Sequence, residues 1–419
     1  MRKMKESGVE WLGEIPNYWN VIKVQDGFTQ KKSKACQSDP VVLTLARSGV
    51  KVRDMSSAEG QFAASYFNYN PVSKDDLLIN PMDLISGDNC SISEVEGVIS
   101  PAYINLRYKK GFNPKFYHYY FKYQYWSMAF FSYGKGVSYE NRWTLNAETL
   151  MSFPLLQPGE EEQKNIAEFL DMKCNKINSL MVDIQSEIEI LDKYKKSVII
   201  EAVTKGLDRK VPMKDSGMPW IGKVPSHWLV EKVKYHLTRK EPKNQGDKQV
   251  LSVYREYGVI PKDSRDDNHN VTSEDTSKYK YVRPGNLVIN KMKAWQGSMG
   301  VSDYEGIVSP AYFIYHFTDD LLIPKYIHYL FRSCYKDEFR RISGGIREGQ
   351  WDLSPNEFNN IMLLIPPEEE QKKIIRIIEE KTSEIEEIIA KKMEQLEILA
   401  DYKKSIIYEY VTGKKEEDE

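Results

Sequence analysis

Two serines precede the same three residues, as Ser100-Pro-Ala-Tyr103 and Ser309-Pro-Ala-Tyr312. Amino-methyltransferases carry a polar residue before Pro-Pro-aromatic, so the pair has to be weighed as a methyl-transfer site. Both copies lack the second proline, and no glycine-rich strand–turn–helix for S-adenosylmethionine accompanies them. Gly134/Gly136 and Gly344/Gly345 do not follow a buried strand. A strand end turning at proline, with the tyrosine packed inside, accounts for the motif better. His118 and His328 occupy matching helical contexts without a second ligand at metal spacing, and read as packed helix histidines. P-loop, HExxH and GxSxG patterns are absent. Neither a catalytic constellation nor a metal or cofactor site of the chain's own is therefore expected. Cys36, Cys90, Cys174 and Cys334 are scattered with no CxxC, which reads as reduced thiols in a cytoplasmic protein.

The chemistry the side chains do suit is contact with DNA. Lys31, Lys32 and Lys34 lie beside Gln30; Arg47, Lys51 and Arg53 follow an early strand; Arg142 sits in a glycine-bearing loop. Further on come Arg239, Lys240, Arg255, Lys291, Lys293 and Arg347. Arginine pairs with guanine edges, glutamine and asparagine with adenine, and lysine mostly with phosphates. Singly, each charge reads as a solvated surface residue; as a set on divergent loops they read as a DNA-facing surface. The net charge of −2 conceals a partition. Residues 1–158 carry 18 Lys+Arg against 15 Asp+Glu, and 207–366 carry 24 against 20. Residues 159–206 carry 7 against 10, and 367–419 carry 10 against 16. The basic blocks suit phosphates and the acidic stretches do not.

The elements that must position these residues come in duplicate. Residues 4–24, MKESGVEWLGEIPNYWNVIKV, return at 213–233 as MKDSGMPWIGKVPSHWLVEKV, with Trp11/Trp220, Pro16/Pro225 and Trp19/Trp228 superposed. Glu160 to Gly206 opens with three glutamates and runs without Gly or Pro to its final glycine, the composition of one long helix. Leu170, Ile177, Ile184, Leu191 and Val198 recur every seven residues, with Leu180, Met181, Ile188 and Tyr194 expected in the neighbouring stripe. Glu368 to Gly413 repeats the pattern through Ile378, Ile385, Leu399 and Ile406, interrupted by Lys392. Each block before a helix mixes short strands with a helix that begins at Pro114 or Pro324, so the blocks are α+β. The expected division is a recognition domain at 1–158, a spacer helix at 159–206, a second recognition domain at 207–366, a second helix at 367–413 and a charged tail at 414–419. Equivalent helices meeting across a pseudo-twofold axis run antiparallel, so the fold expected is two pseudo-symmetric α+β domains separated by an antiparallel coiled coil. No apolar run reaches membrane-spanning length, and the opening MRKMKESGVEWLGEIP has no apolar signal core.

These residues resemble the specificity subunit of type I restriction–modification enzymes over essentially the whole chain. Ser7–Trp19 with its echo Ser216–Trp228, the two SPAY motifs, and the blocks Pro158–Asp171 and Pro366–Glu380 carry the resemblance. It implies two target-recognition domains, each reading half of a bipartite double-stranded DNA site. It implies two modification subunits that bind S-adenosylmethionine and methylate adenine, and restriction subunits that translocate and cut. The chain itself would be a non-catalytic cytoplasmic protein with no membrane partner. Two other readings of the residues stand beside this one: a DNA methyltransferase acting alone, and a coiled-coil scaffold that never touches DNA.

Overall fold

In a computed structural model the chain divides into two compact units, Met1–Ile184 with Met393–Glu419, and Gln185–Lys392. The structure describes residues 2–46, 49–55, 63, 65–84, 90–136, 143–243, 248–255, 257–265, 275–345 and 351–416.

The first unit is built on a four-stranded antiparallel sheet in the order Phe28–Gln30, Ile104–Tyr108, Leu77–Ile79, Cys90–Ile92. The second repeats that order with Leu237–Arg239, Tyr312–Phe317, Leu287–Asn290 and Met299–Val301. Leu77, Leu78 and Ile79, like Leu287, Val288 and Ile289, are buried on both faces, so these central strands read as unbroken apolar runs. Behind each sheet lies the helix that the proline opens, Pro114–Trp126 or Pro324–Cys334. Tyr117, Tyr120 and Phe121 from the first, and Tyr326, Leu330 and Phe331 from the second, enter the two main apolar cores.

The long helices are Glu160–Lys205 and Glu368–Val411. In the first unit Phe169 stacks near Tyr410, ring centroids 4.5 Å apart, and Lys403 Nζ donates to Asn178 Oδ1 at 2.8 Å. In the second unit Lys392 binds Glu187, and Lys195 binds Glu386 at 3.3 Å. Within each unit the partner's number falls as the first helix's rises, so the helices run antiparallel. Leu170, Ile177, Ile184 and Ile188 are buried along this contact. The second stripe includes Met181 and Ile188 as expected but not Leu180 and Tyr194. It runs four residues on from the first, through Cys174, Met181, Ile188 and Ala202. Leu180 and Tyr194, three residues on, are 47% and 54% exposed. A single partner helix covers only a narrow seam, and positions beyond it stay in water. Lys392, which interrupts the apolar repeat, finds its counter-charge in Glu187.

The repeated tryptophan–proline motif now has a physical reason. Trp19 is fully buried and its indole Nε1 donates to Glu162 Oε2 at 2.9 Å, in the first turn of the first long helix. The same tryptophan lies under the end of the second, where a Cβ on Gly413 would meet Pro16 at 2.5 Å and Trp19 at 3.1 Å. In the second unit a Cβ on Gly206 would meet Glu370 at 2.8 Å and Trp228 at 3.2 Å. Both glycines have a φ near +70°, so each helix ends in a left-handed residue pressed on an aromatic ring. Trp19 thus seats one helix start and one helix end, whereas Trp228 lies under a helix end and its neighbour His227 binds Glu370 in the first turn of the other helix at 2.8 Å.

The glutamine of each EEEQK block is buried beside it. Gln163 Oε1 accepts from the Asn113 backbone N–H at 2.8 Å, while Nε2 donates to the carbonyls of Pro158 and Gly111 at 3.0 and 3.2 Å. Gln371 does the same with Ile323 N–H at 2.8 Å and the carbonyls of Leu321 and Pro366 at 2.7 and 2.9 Å. One amide therefore ties the start of each long helix to the start of the shorter helix behind the sheet.

Candidate nucleic-acid interface

Each SPAY motif is a turn leading into the longest strand of the sheet. Tyr103 N–H donates to Ser100 O at 3.1 Å and Ala102 N–H to Ser100 Oγ at 3.3 Å. Tyr312 and Ala311 repeat both bonds, to Ser309 O at 3.1 Å and Ser309 Oγ at 3.2 Å. The serine hydroxyls are engaged by their own turns, and the tyrosines lie half-buried.

In the first unit this turn gathers loops that lie far apart in the chain. Leu145 N–H donates to Pro81 O at 2.9 Å, bringing the closing loop to the loop after Leu77–Ile79. Lys31 N–H donates to Asn105 O at 2.9 Å, carrying Gln30 and Lys32 alongside. The result is a cleft of about 460 Å³ whose walls include Gln30, Lys32, Asn70, Met82, Tyr103 and Asn146. A second hollow of about 330 Å³ shares Met82, Ala102 and Tyr103 and adds Thr44, Tyr69 and Arg53. Burial raises the Tyr103 phenol above its ordinary range and Tyr69 adds to this, with Arg53 opposing, so the hydroxyl stays protonated and can donate. Amides, a guanidinium, a phenol and an open cleft make a surface that can hydrogen-bond base edges.

The second unit brings the corresponding elements together in the same way. Leu353 N–H donates to Lys291 O at 2.9 Å, and Lys291 N–H to Ala311 O at 3.1 Å. Lys291 and Met292 thus stand where Pro81 and Met82 stand in the first unit. A pocket of about 470 Å³ lies nearby, lined by Lys240, Glu241, Pro242, Tyr281, Arg283, Asn286 and His316.

The expected DNA-binding residues fall into different settings. Arg53 lines the hollow beside Tyr103. Lys34 is exposed in the loop after Gln30, and Lys51 is exposed on Gly49–Val52 opposite Thr44. Lys31 lies at the cleft, with its Nζ bound at 2.7 Å to the fully buried Asp76, which Arg107 also holds at 3.1 Å. Register places Asn286 and His316 where Asp76 and Arg107 stand, and among the described residues no carboxylate answers Lys240 as Asp76 answers Lys31. Arg239 lies over the Phe313 ring at 5.0 Å with Glu241 at 3.6 Å. Arg255 donates to Gln296, Lys291 pairs with Asp352 at 3.1 Å, and Lys293 is exposed. Arg47, Arg142 and Arg347 lie outside the described residues. Sequence reasoning passed over Asn70, Tyr103 and Asn146, which line the cleft of the first unit, and Arg283, which lines the pocket of the second. The adjacency of each to a turn or strand end was visible, but the convergence of the first three was not.

His118 and His328 are buried neutral imidazoles behind the two sheets. Burial, with Lys122 adding to it, holds His118 down to about 3. Burial and Arg332 hold His328 to about 4, and its Nδ1 accepts from the Val301 backbone at 3.2 Å. Unfolded, both would take up protons below about 6.5; folded, neither does until pH 4 or below. Unfolding therefore binds protons in that window, and stability falls as pH drops through it. By about pH 5 each histidine should have cost its unit about 2 kcal/mol. Urea midpoints at about pH 7.5 and pH 5 measure this, and His328→Asn should flatten the pH dependence of the second unit.

Among the described residues no acid–imidazole–thiol group has the arrangement of a metal site, and no helix is long and apolar enough to cross a membrane. What recurs is a scaffold that presents divergent polar loops around a fixed turn. Residues 234–397 match the family model described as the type I restriction modification DNA specificity domain. The similarity to that domain is shown for this range of the chain. Two solved structures share the fold over nearly the whole chain. One comes from work on the complex assembly and conformational transition of the type I R-M system; at 11% identity it matches 95% of this chain and 98% of its own, with a TM-score of 0.63. The other is the HsdS subunit from Thermoanaerobacter tengcongensis, at 13% identity over 95% and 98% with a TM-score of 0.53. No curated protein matches the chain. The four-stranded sheet also recurs outside the matched range, in residues 28–108.

Proposed function

We propose that the chain is the DNA specificity subunit of a type I restriction–modification complex and that each unit reads one half of a bipartite duplex site. The observation that carries this is the double occurrence of one sheet order around a SPAY turn, with different polar side chains at equivalent places. Gln30, Asn70 and Arg53 serve one reader, and Arg239, Lys240 and Arg283 the other. The chain supplies recognition and no catalysis. Adenine methylation belongs to two modification subunits, which hold S-adenosylmethionine, and cleavage to restriction subunits; the assembly works in the cytoplasm. The acidic helices avoid phosphate and leave their uncovered faces to protein partners.

The test is methylation of a randomised duplex library by the chain with its modification subunit. Exchanging residues 25–150 for those of a relative should change one half-site and leave the other half and the spacing alone. Arg53→Ala should relax base preference in that same half, costing about 1–3 kcal/mol if the contact is bidentate. A change in both halves on block exchange would overturn the assignment of one reader to each unit.

A further inference from the structure

Among the described residues the second unit pairs two tryptophans where the first pairs a tryptophan with a phenylalanine. Trp295 and Trp351 are half-buried and pack against each other, ring centroids 5.5 Å apart and planes inclined by 59°. Trp295 lies in the short 3-10 turn Ala294–Gln296, and its Nε1 donates to Met292 O at 3.1 Å. Trp351 lies in the closing loop, next to Asp352, which binds Lys291. At the corresponding place in the first unit Trp143 packs on Phe131 instead, and its Nε1 donates to Phe131 O at 2.9 Å.

The surroundings of the pair are cationic. Arg340 lies over the Trp351 ring at 5.9 Å, and Arg255 reaches the same turn through Gln296. Lys291 and the exposed Lys293 lie in the loop that leads into the turn, and Met292 between them is 43% exposed. Since Lys291 also binds the SPAY turn, the cluster stands at the rim of the place that forms the cleft in the first unit. Large apolar rings ringed by four cations suit a polyanion that offers flat apolar faces, and nucleobases in a phosphate backbone are such a partner. Apolar side chains entering a duplex unstack a base step and gain contact in return.

We propose that the Trp295–Trp351 pair is a stacking wedge, by which the second unit opens a base step in its half-site while the surrounding cations hold the flanking phosphates. This rests on the reading of the second unit as a DNA reader. It adds a deformation term to specificity, so that flexible steps are favoured where no hydrogen bond is made.

The experiment uses the full chain with its modification subunit and a duplex carrying the site selected from the random library, with 2-aminopurine placed in turn at each position of both half-sites. Beyond the adenines that the modification subunits extrude for methylation, one further position in the second unit's half should brighten severalfold on binding, and tryptophan emission should be quenched. Trp295→Ala with Trp351→Ala should abolish the brightening and weaken binding about tenfold or more, whereas Trp295→Phe should retain most of both. If the wild-type complex binds its site and only the methylated adenines brighten, the wedge is wrong and the DNA-reading assignment stands. If the alanine variant loses assembly with the modification subunit while the brightening persists, the cluster is a protein contact and the wedge is wrong. If the wild-type complex fails to bind any duplex, the reading itself falls and the wedge with it.

Discussion

Gln371→Leu should lower the stability of the second unit by about 3–6 kcal/mol, because three backbone groups lose their partner together. The leucine fills the same space but leaves the Ile323 N–H and the carbonyls of Leu321 and Pro366 without the bonds the amide makes. Each buried group left unmade costs about 1–3 kcal/mol. Set against a typical domain stability of about 5–15 kcal/mol, this is a large fraction. Gln371→Glu separates hydrogen bonding from packing: it keeps an acceptor for Ile323 N–H and turns a carboxylate oxygen toward two carbonyls. It should therefore destabilise as well, in spite of its near-identical shape. Gln163→Leu should act in the same way on the first unit through Asn113, Gly111 and Pro158. Urea midpoints, read separately for the two units from hydrogen exchange, measure the effect. A midpoint unchanged in both leucine variants would remove the glutamines from the account of how the helices are seated.

Lengthening the helix pair should abolish recognition of the wild-type site and create a new one. Both long helices contribute to each unit, so an insertion in one alone would put Asn178/Lys403 and Lys195/Glu386 out of step. Seven residues added to each helix, after Ile184 and after Lys392, keep the heptad seam. They lengthen the pair by about 10.5 Å, near three base-pair steps at about 3.4 Å. If the helices set the distance between the two readers, the spacer in the methylated site should grow by about three base pairs with both half-site sequences retained. Loss of activity on the original spacing should be nearly complete, since neither half alone carries the affinity of the pair. An altered half-site sequence with an unaltered spacer would sink the division of labour between helices and blocks.

Much of this architecture was legible before any coordinates. A repeat offset of about 209 residues announces a duplication, and a helix without Gly or Pro between three glutamates and a glycine is specified by local chemistry. Heptad spacing names one stripe of the seam correctly because it is a property of the single helix. The second stripe needs the partner. Whether Leu180 or Cys174 turns inward depends on the side from which the other helix approaches, and that left Leu180 in solvent.

The proposed recognition surface shows the same limit. The repeat, the SPAY motifs and the divergent loops mark the regions where reading groups are expected. Residue type alone made Lys31 and Lys240 equal candidates. Tertiary structure separates them, because Asp76 brings a buried carboxylate to one and Asn286 offers an uncharged amide near the other. Only folding joins Gln30, Asn70, Tyr103 and Asn146 around one cleft, and Trp295 with Trp351. Repeats, helix ends and heptads are encoded by neighbours within a few turns of chain. A binding surface is made by groups tens to hundreds of residues apart, whose meeting is decided by strand order and register.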